Sequence, residues 1–468
     1  MVEKFDVIVI GAGQAGPALA VRCGKQGLKT VLIERHHFGG TCVNNGCVPT
    51  KTMVASARVA HVARHASDFG VLLDAPVRVD MARVMARKDA LVQQSSSGVR
   101  AWLDGAKNVT VLEGQAGFSG PHTVRVGTRE REAPRIFINV GGRAAEPDMP
   151  GIADVPHLNN ARIMHLKELP EHLIVVGGSY IGLEFAQMYR RFGSRVTVVE
   201  TGSRLIGRED ADVSEAIQGV LAGEGIEFRL SATCISLERH GQGVAVTASC
   251  TAGEPRIEGS HILMATGRVP NTHDLGLAAA GVLLDAKGYV VVGEDLQTNV
   301  AGVYALGDCN GRGAFTHTSW NDYEIVASNL FDDLSGDLAR KVSDRIPAYA
   351  LFVDPPLGRV GLTHAQVQAT GRPALTAKLM MTKVGRAKEM GETAGFMKIA
   401  VDAETHHILG AAIFGVRGDE VVQAVLEVMA AKQPYTVITR GMHIHPTVTE
   451  MLPTLLEGLK PMEQGAAS

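Results

Sequence analysis

Several things are scarce in these 468 residues. Aromatic side chains make up 5% of the chain, cysteines number six and tryptophans two. No uninterrupted apolar run approaches the ~20 residues that a membrane-crossing helix needs. Charge of one sign is lacking as well, with 46 Lys and Arg against 49 Asp and Glu, a formal net charge of −3. A near-neutral surface gives no electrostatic hold on a nucleic-acid backbone or an anionic membrane, so neither is expected as a partner and small molecules are. The apolar stretch "FDVIVIGAGQAGPALAV" near the N-terminus could pass for a secretory leader. It carries Asp6 and three glycines at fixed spacing, however, and no cleavage signal follows it. A cytoplasmic protein is therefore expected. In a reducing compartment the scattered Cys23, Cys234, Cys250 and Cys309 read as small buried apolar residues. The length is too great for one ordinary core, which points to two or three domains.

What the chain does have is one glycine signature used twice. "FDVIVIGAGQAGPALAVRCGKQGLKTVLIER" reads as strand, turn, helix and a second strand ending in Glu34. Gly11 permits the tight turn, Gly13 lets backbone N–H groups approach a pyrophosphate, and Gly16 lets the helix lie close to the strand; the acid reaches a ribose hydroxyl. "EHLIVVGGSYIGLEFAQMYRRFGSRVTVVE" repeats the pattern from Gly177 through Ser179 and Gly182 to Glu200. The acid follows the first glycine by 34 − 11 = 23 positions in one copy and 200 − 177 = 23 in the other. Two such βαβ units imply two dinucleotide sites, and two nucleotide cofactors in one chain suggest hydride passing from a mobile nicotinamide to a bound flavin. The first unit runs directly into a cysteine pair, so the permanent cofactor is expected there.

That pair, Cys42 and Cys47, lies in "GGTCVNNGCVPTK". A metal site would want about four ligands, and no second Cys or His cluster offers them. A static disulfide is disfavoured by the compartment. Redox chemistry remains. In a regular α-helix, residues five apart have Cα atoms roughly 8 to 9 Å apart, whereas a disulfide wants about 4.4 to 6.8 Å. A bond between them needs an irregular turn, which Asn44, Gly46 and Pro49 favour. Such a bridge is easily reduced, and a thiolate here would gain from a helix N-terminus and from Lys51.

The stretch resembles the active-site segment of the class I pyridine nucleotide-disulfide oxidoreductases, the family of glutathione reductase, dihydrolipoamide dehydrogenase and mercuric reductase. Four further segments are similar in the same order: "NVGGRAAEPDMPG", "MATGRVPN", "TNVAGVYALGDC" and "HIHPTVTE". The resemblance implies an α/β fold of two doubly wound Rossmann-like domains, helices on the sheet faces, with a C-terminal α+β dimerisation domain. Residues 1–148 and 270–340 would form the FAD-binding domain, 149–269 the NAD(P)-binding domain and 341–468 the dimerisation domain. The tail "KPMEQGAAS" is expected to be disordered.

By the same resemblance, Cys47 is the thiolate against the flavin and Cys42 the outer thiol that exchanges with substrate. Lys51 and Glu184 pair beside the flavin, and Asp308 holds its ribityl chain. Gly40, Thr41, Gly141 and His317 join Gly11, Gly13, Gly16 and Glu34 around FAD. The NAD(P) set is Gly177, Ser179, Tyr180, Ile181, Gly182, Glu200 and Gly267, with Tyr180 as an aromatic gate. His445, oriented by Glu450, is the acid/base and comes from the partner subunit, so a homodimer with shared active sites is expected. Glu200 should accept the ribose hydroxyls of NADH and repel the extra phosphate of NADPH, although Arg204 and Arg208 could blunt that repulsion. No resident metal is expected.

The substrate is read as a small disulfide or a soft metal ion. "GGTCVNNGCVPTKT" and "FTHTSWNDYEIVASNL" look most like the mercuric reductase branch, but the last cysteine is Cys309, without that branch's C-terminal pair. A metal-ion reductase, a dihydrolipoamide dehydrogenase and a redox-sensing flavoprotein are the alternatives.

Overall fold

Short runs of branched aliphatic residues, closed off by glycine turns, build the first sheet. The computed structural model describes residues 2–463 except Thr251, Glu254, Asp333 and Ser335. Val7–Ile10, Thr30–Glu34, Val109–Glu113, Arg135–Ile138 and Val303–Ala305 pair in parallel, with Val7–Ile10 in the middle. Val7, Val9, Leu32 and Phe137 leave one face of this sheet to pack on α1 (Ala15–Lys25). Two helices, α2 (Gly40–Asn44) and α3 (Cys47–Arg64), carry the cysteine stretch, and α4 (Met81–Asp104) returns the chain to the sheet.

A second parallel sheet repeats the plan in the order Ile226–Arg229, Arg195–Val199, His172–Val176, His261–Met264. Two helices, α5 (Tyr180–Phe192) and α6 (Ala211–Gly223), cover one face. Through the short α7 (Leu277–Ala280) and α8 (Thr316–Phe331) the chain then completes the first unit, where Ile325 and Val326 pack beside α1.

The opposite faces differ from the expectation of helices. Ile8, Ile10, Ile33, Ile136 and Ile138 pack on a meander formed by Ala116–Gly120, Thr123–Val126 and Arg129–Glu132. In the second unit Ile174, Val176 and Ile262 meet a meander of Thr233–His240, Gly243–Ser249 and Arg256–Gly259. The reason is patterning: these strands bury one side only, as Ile235 and Leu237 show, so a one-faced antiparallel sheet suffices as a cover.

The third unit is a six-stranded antiparallel sheet, Ala348–Leu351, Leu357–Gly361, Ile408–Phe414, Phe396–Asp402, Ala374–Met380 and Lys460–Pro461, backed by the helix Gly418–Ala430. Its last strand corrects the expectation of a disordered tail. Lys460 and Pro461 pair with Thr376 and Leu375, and Met462 packs near Val367 and Ala374, because a strand edge offers open N–H and C=O groups. Residues 464–468 of that tail lie outside the described residues. A second correction concerns the scattered cysteines: Cys23 and Cys309 are buried, but Cys234 is exposed on the outer meander and Cys250, just past the end of its second strand, is half-buried.

One ion cluster joins all three units. Arg58 of α3 meets Asp354 (2.6 Å) and Glu392 (2.5 Å), while Arg191 of α5 meets the same Asp354 (2.5 Å) and Glu224 (2.7 Å). With Arg191 and Asp354 largely buried, removing one member would strand a charge in low dielectric, at about 3 to 5 kcal/mol. Among the described residues no helix is long and apolar enough to cross a membrane.

Candidate functional site

The two glycine turns have the same geometry. Gly11 (φ 105°) and Gly177 (φ 114°) take a left-handed turn, where a Cβ would lie 2.3 Å from the Asn139 oxygen and 2.4 Å from the Ala265 oxygen respectively. Gly16 and Gly182 let the helix touch the turn, since a Cβ would stand 2.1 and 2.0 Å from the oxygens of Gly11 and Gly177. In both copies the N–H after the first glycine donates to the distal acid: Ala12 to Glu34 (2.7 Å) and Gly178 to Glu200 (2.5 Å). Glu34 also accepts from His36 N–H (2.8 Å), and Glu200 from Gly202 N–H (2.7 Å).

A cavity of about 1200 Å³ runs from the first turn to the cysteines. Gly11, Gly13, Glu34, Gly40, Thr41, Gly141, Asp308 and His317 line it, as do Cys42, Cys47, Lys51, Ser179, Tyr180, Ile181 and Glu184. Gly16, Gly177, Gly182, Glu200 and Gly267 are not on its wall; the first three shape the turns, and Gly267 accepts from Ala145 N–H (2.9 Å). Its size, the cleared glycine turn and the α1 N-terminus fit an extended dinucleotide, with the Glu34 end suited to an adenosine ribose. Asp308 is partnered by Arg268 (3.3 Å). His317 lies with Nε2 2.7 Å from the Ala348 oxygen, and burial holds its imidazole below the usual range.

At the other end the irregular turn takes shape. The chain leaves α2 at Asn44, passes through Asn45 and Gly46, and enters α3 at Cys47; a Cβ on Gly46 would meet the Thr41 oxygen at 2.8 Å. All six cysteines are free thiols here. Cys47 is the first residue of an 18-residue helix, and its Sγ sits 3.1 Å from the Thr316 hydroxyl. Its thiol is lowered to about 6, by the hydrogen bond from Cys42 first, against the opposing effect of burial, with help from Thr316 and the Lys51 charge. Cys42 is pushed up, by that same hydrogen bond and by burial. The thiolate is therefore favoured at Cys47 and the thiol at Cys42.

Lys51 Nζ pairs with Glu184 Oε2 at 2.7 Å, and the Glu184 side chain is only 7% exposed. Its other oxygen accepts from Phe352 N–H (3.0 Å), so one carboxylate ties α3 and α5 to the third unit. Tyr180 opens α5 with its ring edge-on to Phe315 and Tyr349. His445 Nδ1 is 3.0 Å from both oxygens of Glu450, with the His445 side chain 80% exposed and away from its own chain's cavity. Among the described residues no three His, Cys, Asp or Glu side chains are placed to hold a metal ion.

Sequence reasoning did not single out Thr316, which sits inside "FTHTSW" with nothing to mark it, 269 positions from the thiol it touches. Nor did it find Tyr349 or Arg359, which also line the cavity.

The model of the pyridine nucleotide-disulphide oxidoreductase family matches residues 5–322, and that of the family's dimerisation domain matches residues 347–456. A probable pyridine nucleotide-disulfide oxidoreductase RclA of Escherichia coli (strain K12) is 34% identical over 98% of this chain and 100% of its own length. A mercuric reductase of Staphylococcus aureus is 31% identical over 97% of this chain and 81% of its own. The solved Cu(II) complex of the HOCl-induced flavoprotein disulfide reductase RclA from Escherichia coli superposes with a TM-score of 0.88 at 34% identity, covering 97% of this chain and 99% of that one. LpdA from Mycobacterium tuberculosis gives a TM-score of 0.86 at 26% identity, with the same coverage. A fold, two duplicated turns and a polarised thiol pair thus coincide with family matches along nearly the whole chain, which belongs to the pyridine nucleotide-disulphide oxidoreductase family of flavoprotein enzymes and carries that family's dimerisation domain.

Proposed function

We propose that this enzyme oxidises NADH, and NADPH less well, and delivers the electrons through Cys42 and Cys47 to a small disulfide. The observation that carries it is the placement of Cys42 and Cys47 together on the wall of the dinucleotide-sized cavity, with the Thr316 hydroxyl 3.1 Å from Cys47 and the Lys51–Glu184 pair beside them. FAD, held by the first unit's turn, Glu34, Gly141 and Asp308, supplies when bound the relay of two electrons from nicotinamide to the Cys42–Cys47 disulfide. Lys51, fixed by Glu184, places a positive charge beside that group.

The thiols then act in order. Cys42, whose raised affinity for its proton calls for a base, yields it to His445 of the partner subunit and attacks a substrate sulfur. His445, held by Glu450, returns the proton to the departing thiol. The Cys47 thiolate attacks Cys42, the second thiol leaves with another proton, and the cysteine disulfide is restored. One reduced nicotinamide and one proton are consumed for two thiols released. Residues 1–148 with 270–340, 149–269 and 341–468 serve as the FAD, nicotinamide and dimerisation domains, and Tyr180 covers the nicotinamide's place.

A second acceptor, a soft metal ion, is favoured by the same two thiols and by likeness to proteins solved with Cu(II) or named for mercury. Both readings are tested by following NADH and NADPH oxidation with small disulfides, dihydrolipoamide in reverse, Hg(II), Cu(II) and a quinone, wild type beside Cys42→Ser. One good acceptor that the serine variant loses is the expected outcome. Equal reduction of a quinone alone by both proteins would overturn the dithiol route.

A further inference from the structure

Beside the thiols lies a slab of aromatic rings that the mechanism above leaves without an explanation. Phe315 is stacked between His317 (5.2 Å, 11°) and Tyr349 (5.7 Å, 10°), and Tyr180 stands edge-on to both Phe315 (6.1 Å) and Tyr349 (5.3 Å). Tyr349 is anchored behind the slab, where its hydroxyl donates to Glu209. Arg359 holds the same carboxylate, Nε to Oε2 at 3.1 Å. Glu209 and Arg359 have side chains 0% and 1% exposed. Tyr349 and Arg359 face each other across the antiparallel pair Ala348–Leu351 and Leu357–Gly361, so both reach the one acid from neighbouring strands.

Glu209 is itself fixed to the second glycine turn. The loop after Glu200 is pinned by the bond from Ile206 N–H to the Gly178 oxygen (2.9 Å), and Glu209 N–H returns to Ile206 (2.8 Å). Ile206 takes a φ of 47°, a costly conformation for a buried β-branched residue and one that persists only where its surroundings impose it. A closed circuit results, from the second turn through Glu209 and Tyr349 to Tyr180 at the head of α5. Turning Tyr349 away would strip a buried carboxylate of a donor, which keeps its ring in one place. Tyr180 then rests against a fixed neighbour by ring contact.

We propose that Tyr349 is a positioning residue for Tyr180: anchored by Glu209 and Arg359, it sets the resting place of the ring that reduced nicotinamide must displace. The third unit thereby controls how readily the cofactor is admitted. This rests on the reading of Tyr180 as the cover of the nicotinamide's place. A ligand that needs a minor, open state binds with an apparent Kd raised by the rarity of that state, so loosening the anchor should tighten binding.

The experiment is rapid mixing of the oxidised holoenzyme with NADH, in which the saturation curve separates apparent Kd from the limiting rate of reduction. It is applied to wild type, Tyr349→Phe, Tyr180→Ala and the double variant. Tyr349→Phe keeps the ring and the stack. It is expected to lower the apparent Kd about three- to tenfold with the limiting rate unchanged. Tyr180→Ala should lower it at least as much, and the double variant no further. If Tyr180→Ala shifts the Kd and Tyr349→Phe does not, the anchor plays no part and the proposal fails, whatever happens to thermal stability. If Tyr180→Ala leaves the Kd unmoved, the reading of Tyr180 as a cover falls and takes the proposal with it.

Discussion

The two glycine turns of this chain are near copies that lead to opposite ends. Each bends at a left-handed glycine, packs its helix through a second one and ties the next N–H to an acid 23 residues on from the first glycine. After Glu34 the chain passes through Gly40 into α2 and the reactive thiols. After Glu200 it enters a short strained loop that ends in the buried Glu209–Arg359 pair. The framework that binds a dinucleotide is thus indifferent to the segment beyond its acid. Under the assignment proposed above, a resident cofactor and an exchanging one are distinguished by the next ten residues or so, one stretch ending in the thiols and the other in an anchor.

The strongest way to break this contrast is to disable the thiol end alone. Cys42→Ser or Cys47→Ser should reduce disulfide turnover on the order of 10³-fold or more while quinone reduction survives, as steady-state assays would show. His445→Ala should cost about 10² to 10⁴ in the same assay. Hybrid dimers of Cys42→Ser with His445→Ala protein should then recover activity, because one of their two sites combines an intact cysteine from one chain with an intact histidine from the other. No recovery on mixing would mean that each chain supplies its own base.

At the other turn the expected effects are smaller. Glu200→Gln should cut the preference for NADH over NADPH by about tenfold in kcat/KM, with bound flavin unchanged. A wild-type enzyme that uses NADPH tenfold better would contradict the role given to Glu200. The smallest change sharpens the thiol end. Thr316→Val removes a donor to the Cys47 thiolate, so that thiol should titrate roughly one pH unit higher. Since a thiolate is present only above its pKa, the midpoint of iodoacetamide alkylation of the reduced protein, near pH 6 in wild type, should move up; an unmoved midpoint would remove Thr316 from the account.

Much of this was legible in the sequence because it is written locally. The glycine turns, their acids and the cysteine stretch each occupy a few dozen consecutive residues, where spacing and residue type suggest a chemistry and the family resemblance implies the individual roles. The covers of the two sheets were less readable. Their strands alternate over four to eight residues, too short to mark which face they would close. Contacts across long intervals were not readable at all: Thr316 reaches Cys47 over 269 positions, and Tyr349 reaches Glu209 over 140. Nothing in either local stretch distinguishes such a threonine or tyrosine from a packing residue. Cys234 misled for a related reason, since a cysteine on the outward side of a meander obeys no burial preference.

The ion cluster of Arg58, Asp354, Arg191 and Glu224 has a consequence for motion. Because Arg191 and Asp354 are largely buried, the cluster resists separation of the second unit from the other two. With the second unit as the nicotinamide site proposed above, cofactor exchange is expected to proceed by rotation of side chains, at a rate that depends little on the viscosity of the medium.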